Sequence, residues 1–232
     1  MTGCVSFPLA TTQNDKEEAA AETEPEPESI DVPASDFYYF EQEVDSWRTI
    51  QRSNVVMQKW DYSCGSAALA TLLRYYFEDD ITEQIVMNAI FTRLGRASDP
   101  RAEIKDRFEQ GFSMLDLLNA AKDLGYLGAV VRIPIEKMAE SQAPVIVRIE
   151  KHGYKHFVVF RGVVEDRVFL ADPIRGNVRL SVDEFMKQWS GESLFLGKSG
   201  FGLPEEYPLA IDKSVSPQPE LEFAHQAVLS DF

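Results

Sequence analysis

The chain has 232 residues, 44% of them hydrophobic, and a formal charge of −15 at pH 7, a length that supports one domain with a full core plus extensions. The negative charge sits at the ends: residues 15–45 carry twelve acids against Lys16, residues 203–232 carry six against Lys213, and residues 46–202 are near neutral with 20 acids and 21 bases. No basic surplus exists to neutralise phosphates, which argues against nucleic acid as a partner, and no run approaches the roughly 18–20 apolar residues of a transmembrane segment.

Met1-Thr2-Gly3-Cys4 resembles the end of a lipoprotein cleavage box but lacks the apolar stretch that precedes one, so an acylated Cys4 and an incidental Cys4 both stay open. Two cysteines make no disulfide framework. Residues 11–36 are acidic, proline-containing and poor in large apolar groups; burial there cannot offset chain entropy, and residues 1–45 are expected to be a mostly disordered tail. Phe37-Tyr38-Tyr39-Phe40 interrupts that composition and reads as a segment docking on the domain.

The domain is expected over 46–202. Its first helix carries Cys64 in its first turn and continues with small and apolar residues on one face through Tyr76. A second opens with Thr82 as N-cap and presents Ile85, Val86, Ala89, Ile90 and Leu94. Residues 95–110 are charged, with a turn at Asp99-Pro100, and read as an exposed loop or loose helix. Ser113 and Asp116 form a capping box for a third helix closed by Gly125.

From Ala129 the period changes to that of strands: 129–133, 144–149, a hairpin of 156–164 and 167–172 turning at Glu165-Asp166, 177–180 and 193–196. Ser181 to Glu184 caps a further helix through Trp189. Helices followed by antiparallel strands give an α+β fold. Residues 203–232, with prolines at 204, 208, 217 and 219, read as an irregular acidic tail.

Cys64 stands at a helix start, where unpaired N–H groups and the helix dipole favour an anion. Of three histidines, His225 falls in the tail and His152 in a turn, whereas His156 begins an apolar strand. Asp172 ends the partner strand, so the hairpin brings its carboxylate within reach of the imidazole, where it would orient the ring and stabilise its charged form. Gln58, six residues before Cys64, would donate an N–H to a developing oxyanion beside the Cys64 amide. His152 and His156 do not share a helical face, so a metal held between them is not expected, and neither is a cofactor; there is no phosphate-binding glycine loop.

Gln58–Tyr76, Gly111–Gly125, His156-Phe157-Val158-Val159 and Ala171-Asp172-Pro173 together resemble the C39 peptidases, papain-like domains that cleave leader peptides, often after a double glycine, at the front of bacteriocin-exporting transporters. The resemblance spans roughly residues 52–197. It implies a papain-like fold with the nucleophile on the first helix and a cysteine endopeptidase activity: Cys64 as nucleophile, His156 as base and acid, Asp172 as orienter and Gln58 in the oxyanion hole. The missing transporter domains and the longer segment before Gly111 bring the chain nearer the free-standing C39-like proteins of Gram-negative secretion systems, in particular those of functional-amyloid secretion. That likeness implies a peptide or protein client, such as an amyloid subunit or another secretion component, and a periplasmic setting, with a cytoplasmic one as the alternative. Two other classes stay open: a C39-like module that binds an export client without cutting it, and an acyl transferase using the same triad.

Overall fold

The computed structural model describes residues 32–34, 38–40, 46–151 and 153–211. The chain divides into two units, Met1–Ser46 and Trp47–Phe232. In the first, β1 (Val32–Ala34) and β2 (Tyr38–Phe40) pair antiparallel, Val32 opposite Phe40. The first of these strands falls within residues 11–36, whose composition predicts an unstructured stretch. The side chains of the aromatic segment, on which its expected docking rests, lie outside the described residues, as does the rest of the expected tail.

The second unit opens with a short helix, α1 (Trp47–Arg52), then α2 (Cys64–Tyr75), α3 (Glu83–Leu94), α4 (Pro100–Gln110) and α5 (Met114–Asp123). The expected caps form: Thr82 Oγ1 accepts from the Ile85 amide, and Ser113 and Asp116 bond reciprocally. The charged stretch before Gly111 is a helix. Asp99 caps it by accepting from the Ala102 amide, and Pro100 occupies its first turn, where a missing N–H costs nothing. None of its residues is buried. On α3, Val86, Ile90 and Leu94 are buried as expected, whereas Ile85 faces solvent and Glu83 is buried.

Six strands follow: β3 (Leu127–Arg132), β4 (Val145–Lys151), β5 (Tyr154–Val164), β6 (Arg167–Asp172), β7 (Gly176–Ser181) and β8 (Trp189–Gly197). The short helices α6 (Ile135–Ala139) and α7 (Val182–Gln188) interrupt them. The sheet is antiparallel throughout, in the order β3-β8-β4-β5-β6-β7. The hairpin turns at Glu165-Asp166 as read, with Glu165 in the left-handed region at φ 54°. Among the described residues no helix is long and apolar enough to cross a membrane.

Alternation along the strands builds two cores. Ile146, Phe157, Val159 and Leu194 pack with α2, α3 and α5. Val147, Val158, Phe160 and Leu170 pack with Phe185 of α7 and Met138 of α6. The α2 helix is buried from Cys64 to Leu73, which its run of small residues permits. The domain also extends past the Gly202 boundary read from sequence. Leu209 is fully buried, and Arg161 on β5 donates to the carbonyls of Leu209 and Ala210 at 2.8 Å each. The prolines there mark an irregular but packed segment.

Candidate active site

Cys64 is the first residue of α2, His156 the third of β5 and Asp172 the last of β6. Helix and sheet approach closely at Gly65: a Cβ there would lie 3.1 Å from Leu117 Cδ2 and 3.2 Å from Phe157 Cδ2. The glycine thus lets the start of α2 lie against β5, next to His156. All three side chains are withdrawn from water, with exposures of 5%, 7% and 0% for Cys64, His156 and Asp172.

His156 Nε2 lies 2.8 Å from Asp172 Oδ1. The other ring nitrogen, Nδ1, is buried and has no hydrogen-bond partner. With Nε2 held by the carboxylate and Cys64 close enough to perturb the ring, Nδ1 is the nitrogen left to exchange a proton with the thiol. Burial alone would lower the histidine's pKa, but the bond and charge of Asp172 and the neighbouring Cys64 outweigh it and raise the value from 6.5 to about 9. Burial would raise the carboxyl of Asp172, yet it is held well below the ordinary carboxylate range by His156, the Ile174 amide and Arg175. The site therefore favours an imidazolium beside the sulfur and a carboxylate behind it.

Further residues secure this arrangement. Arg175 Nε donates to Asp172 Oδ2 at 2.7 Å, while the amides of Ile174 and Arg175 donate to Oδ1 at 2.8 and 3.2 Å. Four donors therefore fix a fully buried carboxylate, as such a charge requires. Glu83, buried in the first turn of α3 where the helix dipole favours an anion, holds the loop before Cys64. Its Oε1 lies 2.6 Å from Ser63 Oγ and accepts from the Lys59 amide at 3.3 Å. Ser63 therefore makes no cap bond to α2, and the Cys64 amide, with no acceptor inside the helix, is available to a ligand. Tyr154, two residues before His156, lies 6.2 Å from it ring to ring and donates from its hydroxyl to the Asp61 carbonyl at 3.2 Å.

Gln58 lies in the segment entering α2. Its amide donates to the Pro173 carbonyl at 2.9 Å, tying it to the turn after Asp172. Its Nε2 donates to the Trp60 carbonyl at 3.0 Å and its Oε1 is buried without a partner. One of the two Nε2 hydrogens stays free for a further acceptor. His152 and His225 lie outside the described residues, and no cluster of three metal-binding side chains occurs among the residues described.

Arg175, Glu83 and Tyr154 were missed in the sequence. Arg175 had a faint local signal in the turn Asp172-Pro173-Ile174-Arg175-Gly176. Glu83 had none, since an acid in the first turn of a helix is read as a solvated, dipole-favoured group.

A model of the Peptidase C39 family matches residues 86–200, a span that contains His156 and Asp172 but begins after Cys64. The chain is 37% identical over 148 residues to the probable functional amyloid protease FapD of Pseudomonas fluorescens, covering 64% of this chain and 62% of the relative. The protein of the same description from Pseudomonas aeruginosa is 36% identical over 149 residues, with the same coverage. The chain thus spans less than two thirds of the length of these relatives. Among solved structures, the peptidase domain of Streptococcus ComA, a bifunctional ABC transporter involved in a quorum-sensing pathway, superposes with a TM-score of 0.50 at 21% identity. That match covers 62% of this chain and 97% of the domain, and it is a likeness of fold: the α+β, papain-like arrangement of helices on an antiparallel sheet.

Proposed function

We infer, from the match of residues 86–200 to the Peptidase C39 family model and the geometry of the site, that the chain is a cysteine endopeptidase cleaving a peptide or leader segment of a secreted client. The observation that carries this reading is the buried histidine with one nitrogen on a fixed carboxylate and the other unpartnered beside a free thiol.

In this mechanism His156 Nδ1 takes the proton of Cys64, and the thiolate attacks the scissile carbonyl. The Cys64 amide and Gln58 Nε2 receive the negative oxygen. Gln58 offers the hydrogen not bonded to Trp60, or swings off that carbonyl when a stronger acceptor arrives. The imidazolium then gives its proton to the leaving amine as the carbon–nitrogen bond breaks, and a thioester remains. His156 next draws a proton from water, which attacks the thioester and releases the acid and the thiol. Asp172 stays ionised throughout and holds the ring.

The likeness to the FapD proteins supports a client in functional-amyloid secretion, with periplasmic placement as part of the same proposal; fractionation of the expressing cell tests the latter. Mass spectrometry of candidate secreted subunits, incubated with wild-type protein and with Cys64→Ala, tests the activity. Cleavage by the wild type alone is expected, with Gln58→Ala slower by about 10²–10³. A Cys64→Ala protein that cuts as well as wild type, or a client bound for hours under reducing conditions and never cut by wild type, overturns the proposal.

A further inference from the structure

An open groove of about 640 Å³ lies between α1 and the β6–β7 edge of the sheet, within the size range of ligand sites. Five arginines line it: Arg48 and Arg52 from α1, Arg167 from β6, Arg175 from the turn and Arg179 from β7. Among the described residues no acidic side chain lines it. Arg167 pairs with the exposed Asp166 at 3.4 Å and Arg175 with the catalytic-site Asp172. Arg48, Arg52 and Arg179 are exposed and have no ion-pair partner among the described residues. Such a density of guanidinium groups is anomalous in a chain of net charge −15, because unpaired like charges repel unless an anion joins them.

The groove is rigid and leads to the chemistry. The α1 segment is pressed onto the sheet edge so tightly that a Cβ on Gly176, whose φ is +80°, would fall 2.2 Å from the Gln51 carbonyl oxygen. Asn177 Nδ2 donates to the Ser53 carbonyl at 2.9 Å, and Arg161 Nη1 to Asn177 Oδ1 at 2.6 Å, which locks the corner. Ile174 and Arg175 line both this groove and a smaller one, of about 240 Å³, walled by His156 and Asp172. Two exposed apolar side chains, Trp47 and Ile174, accompany the arginines, giving a peptide's stems something to lie on.

We propose that this arginine groove binds an acidic segment of the peptide substrate, several Glu or Asp residues on one side of the scissile bond, and so selects clients by charge at a distance from the cut. The inference rests on the peptidase reading for the word substrate, and on its own observations for the binding. Guanidinium forks match carboxylates in pairs, and arginine clusters are a recurrent means of reading acidic motifs. The continuity with the His156 cleft selects peptide over nucleic acid as the occupant.

The test uses the full chain with Cys64→Ala, so that binding is read without cleavage and independently of whether the protein is a peptidase. A fluorescein-labelled peptide carrying eight glutamates is titrated by anisotropy at 50 mM salt. A peptide with glutamine at those positions, and single-stranded dT20, serve as controls. Binding of the glutamate peptide is expected, at least about tenfold tighter than the glutamine peptide. Arg48→Glu/Arg52→Glu/Arg179→Glu should lose at least about tenfold, and 0.5 M salt should weaken binding comparably. The same charge change placed on α4 and α5, as Arg101→Glu/Lys105→Glu/Lys122→Glu, should have little effect, and circular dichroism checks that both triple variants are folded. Equal affinity for the two peptides, equal loss in the two triple variants, or tighter binding of dT20 with the same dependence on Arg48, Arg52 and Arg179 overturns the proposal.

Discussion

Replacing Asp172 with asparagine keeps acceptors for the Ile174 and Arg175 amides but removes the charge that opposes the burial of His156. In the wild type the histidine's pKa rises from 6.5 to about 9 on folding. At about 1.4 kcal/mol for each tenfold change in proton affinity, that difference corresponds to about 3 kcal/mol of stability. The native state holds the extra proton between those two values, so this stability is fully present below pH 6.5 and is lost as pH rises through about 9. Without Asp172, burial dominates and pulls the histidine down; the loss between pH 6.5 and 9 should then vanish or reverse. Urea denaturation of the wild type and Asp172→Asn at pH 6, 7, 8 and 9 gives the difference directly, because other titrating groups largely cancel. Stability of the wild type should fall by up to about 3 kcal/mol more than that of the variant across the range. The alkaline limb of kcat/KM, set by loss of the imidazolium, should move to lower pH in the variant as well. Parallel stability profiles would refute the reasoning, because the carboxylate would then not be what sustains the imidazolium.

Glu83→Gln exchanges a charged acceptor for a neutral amide beneath the Lys59–Ser63 loop, and should cost about 1.5–3 kcal/mol in urea denaturation while lowering kcat more than it raises KM. An unchanged kcat would show that the loop is held by other contacts. Gly176→Ala forces a methyl into the Gln51 carbonyl at a backbone conformation alanine disfavours. A loss of at least about 2 kcal/mol is expected, read as a lower thermal midpoint. A chain ended after Gly202 removes the buried Leu209 and the acceptors of Arg161. Its urea midpoint should fall by the equivalent of about 3 kcal/mol or more, the range of a large core truncation, whereas ending the chain after residue 211 should leave all of these contacts intact.

Much of this protein was determined within short windows of sequence. The Thr82 and Ser113 caps, the alternation of Val145 to Ile149 and Phe157 to Phe160, and the hairpin turning at Glu165-Asp166 each depend on neighbours a few residues away, and each formed as read. The pairing of His156 with Asp172 was legible for the same reason: a hairpin converts a known loop position into a known juxtaposition. What the fold alone decided involves partners far apart in the chain. The docking of Cys64 beside His156 depends on Gly65 fitting against Leu117 and Phe157. A loop twenty residues upstream makes Glu83 a buried anchor through Ser63, a partnership that an acid in the first turn of a helix does not announce. The arginines of the groove come from four separate elements and have no sequence spacing to betray them. Residues 203–211 looked like tail because proline and charge suppress regular structure, but packing requires only that Leu209 find a buried place and Arg161 an acceptor, and neither requirement leaves a periodic mark.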